Sequence, residues 1–370
     1  MTARERLFAA LDGEPTDHVP VWLLFPYHPL DGYVDVRSHP RYQALHRLSL
    51  SRCITLDRRQ LGVPLHAPTV ASWREDVVQH GARMVCHHLE LGDQRLTACT
   101  VPADPTRNRK LVSSAEDLDI FCSLPLETDP ERIRRALDRQ LPHYLLEREG
   151  FPAHLGATML DLGEPIAPLY HAARPEEYAL WSVTHQDLVL SWLRRSLERC
   201  FHIYRYCLTR NLADVYLLPG SELASPPLVS RATFQRWVVP FAAELIHLVH
   251  QHGKRVIQHH HGAIRALLPD FLDMGADALH TVEAPPTGDC TLGQAAEVVG
   301  DRLVLIGNVQ DDALRSLSAE EMAGHVRAIL DECRGRRVIL SPTAGPYDPD
   351  PPEALIRNLR VLVDAAWDYA

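Results

Sequence analysis

From residue 150 onward the sequence repeats one alternation: a short apolar run rich in β-branched residues, then a longer stretch with helical spacing. The runs are Ala153 to Leu160, Asp214 to Leu218, Arg255 to His259, Ala278 to Val282, Leu303 to Ile306 and Val338 to Leu340. The stretches between and after them are Pro175 to Arg210, Arg231 to His252, Ala263 to Met274, Thr291 to Val299, Ala319 to Glu332 and Pro352 to Trp367. Strands separated by helices of this length cannot pair as hairpins, so the rhythm implies parallel β/α units. Gly253, Gly275 and Gly335 fall where left-handed caps would close helices. Adding His18 to Phe25 and Cys53 to Leu56 brings the strand count to eight, and a (β/α)8 TIM barrel is the simplest closure. The chain, 1–370, then reads as a single domain with an N-terminal helix. An irregular insertion or lid region, 57–149, covers one end of the barrel.

The 370 residues are 46% hydrophobic and 23% charged, which is ample core material, and contain no apolar run long enough to span a bilayer. The opening Met1-Thr2-Ala3-Arg4-Glu5-Arg6 leads into a charged amphipathic helix without the apolar run of a signal peptide, so a cytoplasmic protein is expected. A net charge of −10 with no basic block argues against nucleic acid or an anionic membrane as partner and for a small-molecule substrate. The eight cysteines are scattered without a CxxC pair and read mostly as buried thiols. Cys86-His87-His88 has the composition of a ligand cluster. It lies, however, in an alternating hairpin, Arg83 to Glu90 and Arg95 to Val101 about Gly92-Asp93, and reads as surface ribbon.

In barrels of this type the reactive side chains project from the C-terminal ends of the strands. Here those ends are polar in succession: Ser221-Glu222, His259-His260-His261-Gly262, Glu283 through Asp289, Gly307-Asn308 and Ser341 through Gly345. Helix capping and turn formation account for Ser221, Thr287, Asn308 and Thr343. They do not account for Glu222 or Glu283, because a carboxylate at the end of an apolar strand is costly without a partner. In an extended strand His259 and His261 point to one face and His260 to the other. Two imidazoles with one or two carboxylates form a ligand set for zinc or a similar divalent ion, so His259, His261, Glu283 and Glu222 are the candidate metal ligands.

The opening Arg4 to Trp22 resembles that of the uroporphyrinogen decarboxylase superfamily, which includes zinc-dependent, corrinoid-linked methyltransferases. The match continues through Glu222 to Pro227, Phe234 to Pro240, His259 to Gly262, Gly275 to Ala278, Glu283 to Asp289 and Gly307-Asn308-Val309, covering about 1–30 and 150–370. The resemblance implies a barrel fold and, by analogy with related barrels, a homodimer. It says less about the reaction, since one fold hosts many chemistries. Asp57 resembles the essential aspartate of the decarboxylases by a local match.

The departures bear on the substrate. Where those decarboxylases carry an arginine-containing loop for substrate carboxylates, this chain reads Phe25-Pro26-Tyr27-His28-Pro29, and their late Gly-His-Gly corresponds to Thr343-Ala344-Gly345. The methyltransferase branch carries His-x-Cys-Gly and a later Cys; here His261 and Ala344 stand at those places, and no corrinoid-binding Asp-x-His-x-x-Gly follows. The leading expectation is a metal-dependent decarboxylase or related lyase acting on a small or medium organic acid, and not on uroporphyrinogen. In it Asp57, His260 or Asp289 would move a proton, and Phe25, Tyr27, Asn308 and Thr343 would contact substrate. The alternatives are a zinc-dependent methyltransferase or demethylase served by a separate corrinoid protein, and a non-catalytic ligand-binding barrel.

Overall fold

The computed structural model describes residues 1–79, 81–219 and 221–369, so Gly220, which precedes Ser221, lies outside the described residues. In chain order the strands are β1 (Thr55–Gln60), β2 (Ala71–Gln79), β3 (Ala82–Leu91), β4 (Gln94–Thr100), β5 (Gly156–Asp161), β6 (Val215–Pro219), β7 (Arg255–His259), β8 (Ala278–Val282), β9 (Val304–Val309) and β10 (Val338–Pro342). Seven of them form one parallel sheet in the order β1-β5-β6-β7-β8-β9-β10. Apart from β1 and β5, each strand pairs with its successor in the chain across a helical crossover, as the alternation implied.

The segment expected as a first strand, His18 to Phe25, is reduced to a single bridge between Val21 and Leu340. Pro20 has no N–H to give, and Leu24 turns to φ 62°, so neither flank extends a ladder. The short segment still bonds to both edges of the sheet: Trp22 N–H donates to Leu340 C=O at 2.9 Å, and Ile54 N–H donates to Val21 C=O at 2.9 Å.

The sheet is buried on both faces. Against its outer face pack the helices, among them Gln186–Thr209, whose Trp192, Leu193 and Tyr204 are fully enclosed. The inner face gathers Trp22, Leu24, Leu56, Met159, Leu217, Ile257, Ile306 and Ile339 into a second cluster. The N-terminal helix Ala3–Asp12 supplies Leu7 and Leu11 to that cluster. It lies across the N-terminal ends of the strands: Arg4 bonds to Gly156 C=O and Asp214, both at 2.9 Å, and Asp12 pairs with Arg255 at 2.6 Å. Thr2 and Glu5 form a capping box at its start, and Gly13 closes it at φ 76° with the Arg337 guanidinium where a Cβ would stand.

Two expected helices are divided. Arg231 to His252 is two helices, Arg231–Trp237 and Val239–Gln251, because Pro240 cannot continue a preceding ladder but fits the first turn of a new helix. Pro175 to Arg210 breaks at His185. Within 57–149 lie the end of β1, a three-stranded antiparallel sheet β2-β3-β4, and helices Ala115–Ser123, Pro130–Asp138 and Leu141–Gly150. The hairpin β3-β4 falls where expected, whereas β2 was hidden by the charged run Arg74-Glu75-Asp76 along an edge strand. Cys86 and Cys99, directly opposed in the ladder, form a disulfide instead of two thiols; the other six cysteines are buried thiols. His88 is occupied by Thr97 and Glu75. No helix of the described residues is long and apolar enough to cross a membrane.

Candidate metal centre

At the C-terminal end of the sheet, Glu222, His259 and His261 each present a ligand atom within 4.8 Å of the others. Glu222 comes from a short turn after β6, and the two histidines come from β7 and its first loop residues. Strand alternation carries Ile257, His259 and His261 to the inner face, with the two imidazoles nearly perpendicular at a centroid distance of 4.6 Å. Glu222 Oε1 lies 3.8 Å from His259 Nε2.

Glu283 stands beside this group and not within it. Its Oε2 accepts the Gly262 N–H at 2.7 Å, and its Oε1 lies 3.2 Å from His261 Nδ1. Burial alone would raise this carboxyl, but the bonds from His261 and Gly262 outweigh it and hold Glu283 below its ordinary range; the same bond raises His261. For Glu222 burial prevails over the backbone N–H groups of Glu222 itself and His261, and its carboxyl moves up. His280, on β8, puts its Nδ1 2.8 Å from His259 Nδ1. Burial is the main cause that keeps His259 far below the usual imidazole range and brings His280 down to about 3. Neutral imidazole is the form that binds a metal ion.

The same alternation moves other sequence candidates away. His260 points outward between Phe234 and Phe271, fully enclosed, with its ring nitrogens 3.2 Å from the Ser221 and Ser225 hydroxyls; both nitrogens are engaged in holding the chain. Asp57 also faces outward. It accepts from His28 N–H at 2.9 Å and pairs with His28 Nδ1 at 2.8 Å, which anchors the loop after Phe25. Asp289 accepts the Ile264 and Arg265 N–H groups at 2.9 and 3.0 Å as a turn cap. Phe25 packs edge-on against Tyr42 in the outer core, and Tyr27 packs on Phe151 under the Arg37 guanidinium.

The cavity over the cluster is about 130 Å³. Of the expected substrate contacts only Thr343 lines it. Asn308 lines a separate cavity of about 240 Å³ with Gln310 and His325, and its buried Oδ1 has no partner among the described residues. Trp22, Leu24, Leu56 and Leu217 form an apolar wall, while His280, Arg58, Tyr33 and Tyr347 add polar atoms that sequence reasoning did not select. A signal existed for His280 and Arg58. Each sits two residues after an inward-facing apolar residue of its strand, Ala278 and Leu56.

Comparison with known proteins agrees with this architecture. The family described as uroporphyrinogen decarboxylase (URO-D) matches residues 169–369, more than half of the chain. Two curated relatives, both named methylcobamide:CoM methyltransferase MtaA, come from Methanosarcina barkeri and from its strain Fusaro. Each is 22% identical over the whole chain and 98% of its own length. A solved structure, a methyltransferase from Methanosarcina mazei, superposes with a TM-score of 0.58 at 20% identity, covering 99% of this chain and 98% of its own; at that identity the likeness speaks for the fold. By the extent of the family match, this chain belongs to the uroporphyrinogen decarboxylase family.

Proposed function

We propose that this chain is a metal-dependent methyltransferase that moves a methyl group between a cobamide on a separate protein and a small acceptor. The observation that carries the reading is the convergence of Glu222, His259 and His261 at the sheet's C-terminal end. The full-length likeness to methylcobamide:CoM methyltransferases supports methyl transfer over the decarboxylation expected from sequence. Two imidazoles and a carboxylate fit a zinc-type ion and leave a coordination position open. When bound, such an ion would supply a Lewis acid that lowers the pKa of the acceptor's thiol or hydroxyl.

The protein's own residues prepare that site. Glu283 at His261 Nδ1 leaves Nε2 of that ring available, and His280 does the same for His259. A cation among the three side chains would also relieve the burial of the Glu222 carboxylate. Trp22, Leu24, Leu56 and Leu217 keep water from the reacting atoms. We also propose that the sheet closes as a (β/α)8 barrel in one domain, with Pro20–Trp22 as the short strand between β10 and β1. The hydrogen bonds from that segment to both edges support closure.

A second reading, metal-assisted decarboxylation of a small acid, is favoured by the donor set itself. His261 stands where the methyltransferase branch has a thiolate, and imidazole with carboxylate prefers oxygen ligands. The test is elemental analysis followed by turnover. Wild-type protein should carry about one divalent ion and consume methylcobalamin in the presence of a small thiol or alcohol, and His261→Ala should lose both. Carbon dioxide release from organic acids without methylcobalamin turnover would establish the second reading instead.

A further inference from the structure

At the other end of the sheet from the histidines, a cavity of about 430 Å³ lies between the N-terminal helix and the start of β10. Gly13 to Thr16 and Pro20 form one wall, Gly335 to Val338 the other, and Asp301 joins them from the turn before β9. It shares no residue with the cavity over the metal cluster. Its volume lies in the range of small-molecule sites.

Two arginines line it, Arg336 exposed and Arg337 half-buried. The neighbouring Arg334 pairs with Asp331 at 2.9 Å, whereas neither Arg336 nor Arg337 has a carboxylate oxygen within 4.0 Å among the described residues. Their backbone is fixed: Arg336 N–H donates to Cys333 C=O at 2.9 Å, and Arg337 C=O accepts the Leu305 N–H at 3.0 Å. The Arg337 guanidinium rests face-on against Gly13, since the atoms a Cβ would meet there are its Cζ, Nη2 and Nε. The negative end of the helix dipole favours a cation at that place, and a guanidinium seated on its face keeps its N–H edges for a ligand.

Glu14 and Asp301, both exposed, line the same cavity. These carboxylates repel a bare anion but accept hydrogen bonds from hydroxyl groups. A molecule that satisfies both halves carries a phosphate for the arginine forks and hydroxyls for the carboxylates.

We propose that this cavity is a second binding site, for a hydroxylated phosphate monoester of the sugar-phosphate kind. Arg336 and Arg337 take the phosphate, and Glu14 and Asp301 take hydroxyls. The ligand bridges the loop after the N-terminal helix and the first residues of β10, so it fastens that end of the sheet and stabilises the folded protein by linkage. The site is independent of the methyl-transfer reading.

Calorimetric titration of the full-length protein with glucose 6-phosphate, methyl phosphate and glucose tests this. Glucose 6-phosphate should bind at least about tenfold tighter than either fragment, given the strength of charge-assisted hydrogen bonds, and should raise the unfolding temperature. Arg336→Gln, at an exposed position, should weaken it by about tenfold. Arg337→Lys, which keeps the charge and loses the fork, should weaken it several-fold. Glu14→Gln/Asp301→Asn should tighten methyl phosphate and erase the advantage of the sugar, which separates a built site from general attraction of anions to arginine. Circular dichroism checks that each variant is folded. Glucose 6-phosphate binding no tighter than glucose or methyl phosphate, unchanged binding in Arg336→Gln, or a sugar advantage that survives loss of both carboxylates overturns the assignment.

Discussion

Glu222 and Glu283 are chemically identical side chains beside the same pair of histidines, yet their surroundings assign them different work. Glu222 offers an oxygen to the cluster, whereas both Glu283 oxygens are engaged, by Gly262 N–H at 2.7 Å and His261 Nδ1 at 3.2 Å. Zinc sites bind with roughly 10–16 kcal/mol, so each of about four ligands contributes about 2.5–4 kcal/mol, or on the order of 10²- to 10³-fold in affinity. Glu222→Ala should lose that much. In Glu283→Gln the amide oxygen can keep the Gly262 N–H, but its NH2 then meets His261 Nδ1. The imidazole must carry its proton on Nε2 to accept that donor, which removes the nitrogen facing the cluster. Loss of such an orienting partner costs about 10- to 100-fold, or ~1.4–2.7 kcal/mol. Competition with a chromophoric chelator would measure both constants, and circular dichroism would check the fold. Equal losses in the two variants, or none in Glu283→Gln, would refute the division of roles.

Acid should destabilise the protein through His66, whose ring nitrogens are buried with no well-formed hydrogen bond among the described residues and whose pKa burial brings down to about 4. The folded value is depressed, so the stability is present above about pH 6.5 and lost as pH falls through 4. At pH 5 the loss is about 2 kcal/mol by linkage, and His66→Phe should flatten the denaturation profile over that window. Leu7→Ala, at a fully enclosed position of the N-terminal helix, should cost about 2–5 kcal/mol in urea unfolding; a smaller loss would mean the helix is not part of the inner core. Uroporphyrinogen should not be consumed, because the loop Phe25 to Pro29 carries no arginine to pair with its carboxylates; coproporphyrinogen formation would contradict that.

The strand and helix rhythm made the parallel sheet legible, because crossover connections leave long apolar and helical periods in the sequence. The strand-end chemistry was legible only as far as alternation was followed. It separated His259 and His261 from His260, and the same rule applied to β1 selects Arg58 over Asp57. The resemblance to the decarboxylases points to Asp57, whereas the period of the strand itself points to Arg58. Phe25 illustrates a different obstacle: the left-handed turn at Leu24 sets which neighbours face the cavity, and nothing in the local sequence marks it. Tyr33 and Tyr347 are 314 residues apart, so their meeting depends on how two loops fold over one another.

The helix that seals the N-terminal end of the sheet also dictates traffic. Leu7 and Leu11 fill that end, which leaves the C-terminal side of the strands, where His259, His261 and Thr343 line the cavity, as the approach to it. A small acceptor and a protein-borne cobamide would have to share it, and the larger visitor would cover the smaller. Methyl transfer through such a doorway imposes an order: acceptor in first, carrier second, carrier away before the methylated product can leave. Steady-state kinetics should then show the carrier protein trapping product at high concentration, a form of inhibition that a barrel open at both ends would escape.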